Sequence, residues 1–331
     1  MTVQKIAVVG CGGISRVHLS AYTAHPERVE VVAACDPLPE RTAWARETYG
    51  IERTYSSVAE MVDAGGWDVA VVCTPSSVRK DALAELARAG KHILVEKPLS
   101  DNVDDAREIV ETCEKAGVIL AVNQNFRDQY SFGIARKLIE DGRIGEVLGI
   151  DQQDLTFRQD KGWRLGMARH AMSVMGVHWF DGFRVLLGRE ATWVSCRTFS
   201  SPAIESAGET DGFVQIHFGD IPVSYVQSFS SSRKHVETIV FGDRGTLSLN
   251  YDSATVLTPD GASETIPNPY AGDQRRESMF RSLDRLLTAI ESGGEPSNSG
   301  RDNLRTVALL DAAYRSAEQR TPIELVEGLP W

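Results

Sequence analysis

Little in this sequence points to a membrane, a nucleic acid or an oxidising compartment. No apolar run approaches the roughly 20 residues that a bilayer span needs. The short run after Met1-Thr2-Val3-Gln4-Lys5 does not read as a signal peptide. Positive charge is scarce: 35 Lys and Arg stand against 46 Asp and Glu, a net charge of −11. Without a basic stripe, neither a phosphate backbone nor an anionic lipid surface is an expected partner. Cysteine is sparse as well. The five residues Cys11, Cys35, Cys73, Cys113 and Cys196 are odd in number and lie in or beside apolar runs. They read as small buried hydrophobes in a reducing cytoplasm, not as a disulfide framework. No His/Cys/Asp cluster has ligand spacing, so no metal is expected. Repeats and low-complexity tracts are also missing. What remains is an ordinary globular composition over 331 residues, long enough for two domains.

The first part alternates short buried strands with single helices. Strands are predicted at 5–9, 29–35, 69–73, 92–95 and 119–122. Helices are predicted at 15–25, stopped by Pro26, at 39–49, closed by Gly50, at 79–89, ended by Gly90, and at 103–116, capped by Gly117. This order predicts a doubly wound parallel sheet of the Rossmann type over residues 1–122. Beyond Asn123 the pattern becomes α+β. A helix is predicted at 130–141 and an apolar helical stretch at 171–187. Alternating strands are predicted at 146–156, 191–199, 210–218, 223–230, 234–242 and 246–250. Two further helices are predicted at 276–290 and 303–320. Residues 123–331 are therefore expected to form a second, substrate-binding domain around a largely antiparallel open sheet, with the C-terminal helix able to pack back on the first domain.

The strongest local signal is Gly10-Cys11-Gly12-Gly13-Ile14-Ser15, set between a strand and a helix. Gly10 permits a tight turn, Gly12 lets the backbone approach a pyrophosphate, and the helix start offers amides to the phosphates. Asp36, at the end of the second strand, can accept both ribose hydroxyls and would repel a 2′-phosphate. This favours NAD(H) over NADP(H). Arg41 could serve such a phosphate, but an arginine in a first helical turn is more often solvated.

Glu96-Lys97-Pro98 follows a later strand of the same sheet, on the edge where open α/β sheets bind ligands. A lysine there can donate to a substrate oxygen and, if desolvated, relay a proton. Taken alone, it reads more readily as a surface lysine capped by the neighbouring glutamate, since most lysines are solvated. Pro98 would stiffen the turn, in either peptide isomer.

Together, the glycine loop, Asp36, Cys73-Thr74-Pro75-Ser76, Val95-Glu96-Lys97-Pro98-Leu99, Asn123-Gln124-Asn125-Phe126-Arg127 and Met175-Gly176-Val177-His178-Trp179-Phe180-Asp181 resemble the Gfo/Idh/MocA oxidoreductase family over nearly the whole chain. The resemblance implies hydride transfer between nicotinamide and a carbinol carbon of a sugar, cyclitol or related polyol. It implies Lys97 as catalytic lysine and His178 as acid–base histidine. Thr74 and Pro75 would line the dinucleotide, Glu96 would lie near the nicotinamide ribose, and Asn123 near the nicotinamide. It also implies a homodimer or homotetramer formed through the open sheet face.

The sequence departs from the family at several places. Val174 stands where many members carry an aspartate, and Asp181, one turn beyond His178 on the same helix face, is a candidate on the substrate side that more readily caps or orients neighbours than replaces the missing group. Arg79 replaces a histidine that often follows the Thr-Pro turn. A basic stretch, 164–170, precedes the histidine helix. Arg127, Arg164, Arg169 and His170 could read an anionic or crowded hydroxyl substrate, and Trp163 could stack on a sugar ring. With the aspartate gone, a redox-neutral glycoside-processing route or a non-catalytic NAD-binding regulator stands beside the dehydrogenase reading.

Overall fold

The computed structural model describes residues 3–269 and 273–329, so the expected domain limits at 1 and 331 fall outside the described residues. The chain separates into two compact units, Met1–Asn125 with Asp273–Leu304, and Phe126–Gly272 with Arg305–Trp331.

The first unit holds β1 (Gln4–Val9), α1 (Gly13–Thr23), β2 (Val29–Cys35), α2 (Pro39–Tyr49), β3 (Arg53–Tyr55), α3 (Val58–Ala64), β4 (Val69–Val72), α4 (Arg79–Arg88), β5 (His92–Glu96), α5 (Val103–Lys115) and β6 (Leu120–Asn123). The six strands are parallel in the order β3-β2-β1-β4-β5-β6. The inner strands are apolar on both faces because helices cover both, as in β4, where all of Val69–Val72 is buried. β3 and α3 had no expectation attached. Three half-buried residues carry no usable period, and α3 is one short helix capped by Ser57, whose side chain accepts from the Glu60 amide.

A helix from far along the chain completes this unit. It is the last α-helix but one, Gln274–Ser292, numbered α8 in chain order. It adds Met279, Leu283, Leu286 and Leu287 to the core formed by Ile6, Val8, Leu19 and Tyr22. Arg28 fastens it by donating to Asp284 at 2.7 Å and to Glu291 at 2.5 Å.

The second unit is built on α6 (Tyr130–Glu140), β7 (Val147–Phe157), α7 (Val177–Leu187), β8 (Trp193–Phe199), β9 (Asp211–Phe218), β10 (Ile221–Ser228), β11 (Ser230–Gly242), β12 (Thr246–Leu249), β13 (Ser253–Leu257), β14 (Ser263–Pro267), most of α9 (Gly300–Gln319) and β15 (Ile323–Glu324). Its nine-stranded sheet runs β14-β13-β12-β11-β7-β10-β9-β8-β15. Every pairing is antiparallel except β7 with β10. One face packs on helical residues such as Phe132, Phe180, Phe183 and Leu310. Alternate positions leave Phe157, Phe199, Phe213 and Phe241 exposed.

Two expectations change in detail. The break predicted between residues 230 and 234 is absent, because β11 runs through it. Its pairing with β7 shifts register between Ser230 and His235, and a bulge there breaks the alternation that a sequence pattern needs. The helix predicted over 171–187 begins as a π-turn, Met172–Gly176, before continuing as α7. The Glu209 carboxylate accepts the amides of His170 and Met172, and Gly176 packs close: a Cβ there would lie 3.1 Å from Met172 Cβ. No helix among the described residues is long and apolar enough to cross a membrane.

Candidate active site

The glycine loop joins β1 to α1. Gly10 has φ +88°, and a Cβ on it would meet the Cys73 carbonyl carbon and the Thr74 nitrogen at 3.1 Å, so backbone and space both require glycine. Gly12 and Gly13 differ: a Cβ on either would meet nothing within 4 Å. Nothing in the chain itself demands glycine at those two positions, and no side chain caps α1. The third glycine position is filled by Ser15, fully buried, which donates to the Gly12 carbonyl at 2.6 Å. Asp36, 3 % exposed, ties β2 to the loop. Its carboxylate accepts the Cys11 amide at 2.9 Å and the Leu38 amide at 3.0 Å, with Arg41 at 3.4 Å. These contacts leave lone pairs on Asp36 for ribose hydroxyls. Thr74 Oγ1, Asn123 Oδ1 and both amide atoms of Gln124 are buried without a hydrogen-bond partner. Buried polar atoms are rarely left so. Orphaned acceptors and donors at the strand ends, beside open space at Gly12 and Gly13, fit a dinucleotide.

At the end of β5 the peptide from Lys97 to Pro98 is cis and Lys97 is half-buried. Glu96, in register with Asn123 on β6, belongs to a chain of buried polar groups. Its Oε1 lies 2.7 Å from His18 Nε2 and accepts Asn123 Nδ2 at 2.6 Å, while His18 Nδ1 lies 2.7 Å from the Tyr22 hydroxyl. Burial would raise the Glu96 pKa. The His18 bond and charge, the Lys97 charge and the Asn123 bond outweigh it and hold the carboxyl below its ordinary value. Burial pushes Tyr22 well up, so its phenol keeps its proton. Neither His18 nor Tyr22 was a candidate from sequence. The only signal available was their i, i+4 spacing on the buried face of α1.

In the second unit, His178 on α7 is 5 % exposed and its ring stacks on Phe126 at 3.9 Å between centroids. Next to it, Trp179 donates to Asp154 at 2.9 Å, and burial raises the Asp154 pKa against that bond. Val174 packs with Ala171 and Phe229, so the position of the missing aspartate is apolar.

The candidate substrate residues are placed unequally. Arg127 and Asp181 form a buried bidentate pair, at 2.6 and 2.5 Å, and Thr306 also donates to Asp181 at 2.8 Å. His170 is fully buried, with Nε2 3.0 Å from Asp160 and Nδ1 2.9 Å from the Ser206 hydroxyl. Asp160 would be raised by burial, yet His170, Arg158 and Arg164 bring its pKa down to about 2. Trp163 is exposed, and Arg164 lies 5.5 Å from its ring centroid. Arg169 pairs with Asp311 at 2.6 Å.

Comparison with known proteins assigns both units of the fold. Residues 4–124 match the family model described as an oxidoreductase family with an NAD-binding Rossmann fold, and residues 136–325 match that family's C-terminal alpha/beta domain. A D-apiose dehydrogenase of Paraburkholderia graminis is 30% identical, over 97% of this chain and 89% of its own length. An inositol 2-dehydrogenase of Rhizobium meliloti is 28% identical, over 98% of this chain and 100% of its own. The crystal structure of an oxidoreductase from Agrobacterium radiobacter, in complex with NAD+, L-tartaric acid and magnesium, superposes with a TM-score of 0.89 at 25% identity, covering 98% of both chains.

Proposed function

Because the chain belongs to the Gfo/Idh/MocA oxidoreductase family, we propose that it moves a hydride between NAD(H) and a carbinol or carbonyl carbon of a sugar, cyclitol or related polyol. One observation carries the reading. The glycine loop, Asp36 and the Glu96-Lys97-Pro98 turn follow β1, β2 and β5 at one edge of a single parallel sheet, the edge at which such sheets bind ligands. The similar dehydrogenases of apiose and inositol support a polyol substrate.

The dinucleotide supplies the hydride acceptor or donor at its nicotinamide. Gly12, Gly13 and Ile14 give it backbone amides, and Thr74, Pro75 and Asn123 line it. Lys97 donates a hydrogen bond to the reacting oxygen, and Glu96 beside it is kept ionised. An alcohol must lose a proton as its hydride leaves, and His178 carries that proton. Asp36 selects NAD(H): its carboxylate accepts ribose hydroxyls and repels a 2′-phosphate. On the substrate side, Trp163 offers exposed surface and the half-buried Arg164 lies beside it. Arg127, Asp181 and His170 are bonded within their own unit and shape the surroundings. The exposed phenylalanines of the open sheet favour a homodimer or homotetramer.

The test is NADH formation, followed by absorbance, from purified protein with NAD and a panel of inositols, aldoses, uronic acids and anhydro-sugars. NADP, Asp36→Ala and Lys97→Ala run in parallel. A signal with one polyol class, lost in Lys97→Ala, supports the reading. Asp36→Ala is expected to move the NAD-to-NADP ratio of kcat/KM toward NADP by about tenfold, a change worth ~1.4 kcal/mol. A Lys97→Ala protein with undiminished turnover would sink the assignment of the lysine.

A further inference from the structure

Arg79 opens α4 just after the Thr74-Pro75 turn, yet its side chain is only 2 % exposed. Nη1 donates to two carbonyls, that of Glu96 and, at 2.5 Å, that of Pro98. Nη2 donates to the carbonyl of Thr74. The two carbonyls on Nη1 flank Lys97. Burial draws the Arg79 pKa down to about 10, while Glu96, Asp101 and Cys73 act in the opposite sense, so the side chain remains a cation at neutral pH. A buried cation spent on main-chain carbonyls is costly, and an apolar residue would serve packing alone better. What the guanidinium adds is direction: its N–H groups lie in one rigid plane, and three carbonyls from two strand ends are fixed relative to that plane.

We propose that Arg79 is the positioning residue of this site, holding the backbone on both sides of Lys97 in register with the Thr74 turn. The proposal rests on Lys97 as the group that meets the substrate oxygen. Arg79 reaches the reacting oxygen only through Lys97, and its contact with Thr74 is to the main-chain carbonyl, so its loss reduces turnover far more than it reduces cofactor affinity. A misplacement of about 1 Å in a reacting group can cost on the order of 100-fold in rate.

The experiment compares Arg79→Met, Arg79→Lys and Lys97→Ala for kcat and KM with the polyol that the wild-type protein oxidises, and for the Kd of NADH by fluorescence titration. Arg79→Met is expected to lower kcat by about 30-fold or more with the NADH Kd within about threefold. Arg79→Lys keeps a buried charge and three donors, but an ammonium cannot hold both flanking carbonyls in a plane. It is expected to recover part of that loss and to remain at least about fivefold below wild type. If Arg79→Met does not fold, Arg79→Lys decides alone. A kcat within about twofold of wild type in Arg79→Lys, or within about threefold in a folded Arg79→Met, overturns the proposal. An NADH Kd that weakens in step with kcat overturns it too, since the residue would then be structural. Failure of the Lys97 reading is separately visible, as undiminished turnover in Lys97→Ala.

Discussion

His18 and Glu96 meet at 2.7 Å although 78 positions separate them in the chain, one on the first helix and the other at the end of β5. Replacing His18 by alanine leaves the buried Glu96 with the Asn123 donor and takes the imidazole away from the Tyr22 hydroxyl. An unmade buried hydrogen bond costs about 1–3 kcal/mol. His18→Ala should therefore lower the Tm by several degrees, read by calorimetry. An unchanged Tm would mean that the network contributes nothing to stability.

The glycines of the loop should separate by role. Gly10→Ala places a side chain at φ +88° against backbone 3.1 Å away, and should destabilise the protein by roughly 1–3 kcal/mol. Gly13→Ala meets open space at the start of a helix and should leave unfolding unchanged or raise stability by about 0.5–1 kcal/mol. NADH binding should nevertheless weaken in Gly13→Ala, because the added methyl group enters the space kept for the dinucleotide. Urea unfolding and NADH titration on both variants make the comparison. Full NADH affinity in Gly13→Ala would count against the cradle.

Asp160 makes acid sensitivity specific. Its pKa falls from an ordinary 3.8 to about 2 in the folded chain. A carboxyl depressed by folding adds stability above its unfolded value and loses it as the pH falls through its folded value. The wild-type protein should thus lose more stability between about pH 4 and pH 2 than Asp160→Asn does. Urea midpoints across that range test this, and parallel curves for the two proteins would contradict it.

The Arg127–Asp181 pair is buried on both sides, at 6 % and 1 % side-chain exposure. Asp181→Ala strands a guanidinium and should cost about 3–5 kcal/mol, whereas Arg127→Met with Asp181→Leu should cost much less. Chemical denaturation of the single and double variants reads the difference. Equal losses would show that the charge pairing is not what holds these elements.

The parts that were legible in the sequence rest on local pattern. Gly10, Asp36 and Lys97 each follow a short apolar strand, and a strand end in a parallel sheet has a known chemical address. The five cysteines read as buried because apolar neighbours surround them, and all five are buried and free. His18 and Arg79 were not legible in these roles, since each acts on partners brought near only by the sheet. The capture of α8 by the first unit was hidden for a related reason. An amphipathic pattern shows that one face of Gln274–Ser292 is buried, and does not say against what. The bulge in β11 and the π-turn before α7 interrupt the very periods from which elements are read.

Those five thiols have a practical consequence. Burial lifts Cys11, Cys35, Cys113 and Cys196 to about 12 and raises Cys73 well above the ordinary thiol value, which disfavours the thiolate at neutral pH. With all five side chains buried as well, thiol reagents should react with the folded chain only as it opens, so that labelling reports opening. Cys11, Cys35, Cys73 and Cys113 belong to the first unit and Cys196 to the second. The order in which they react is a native clock that tells which half of the protein loosens first, and whether bound NADH slows only the half that holds it.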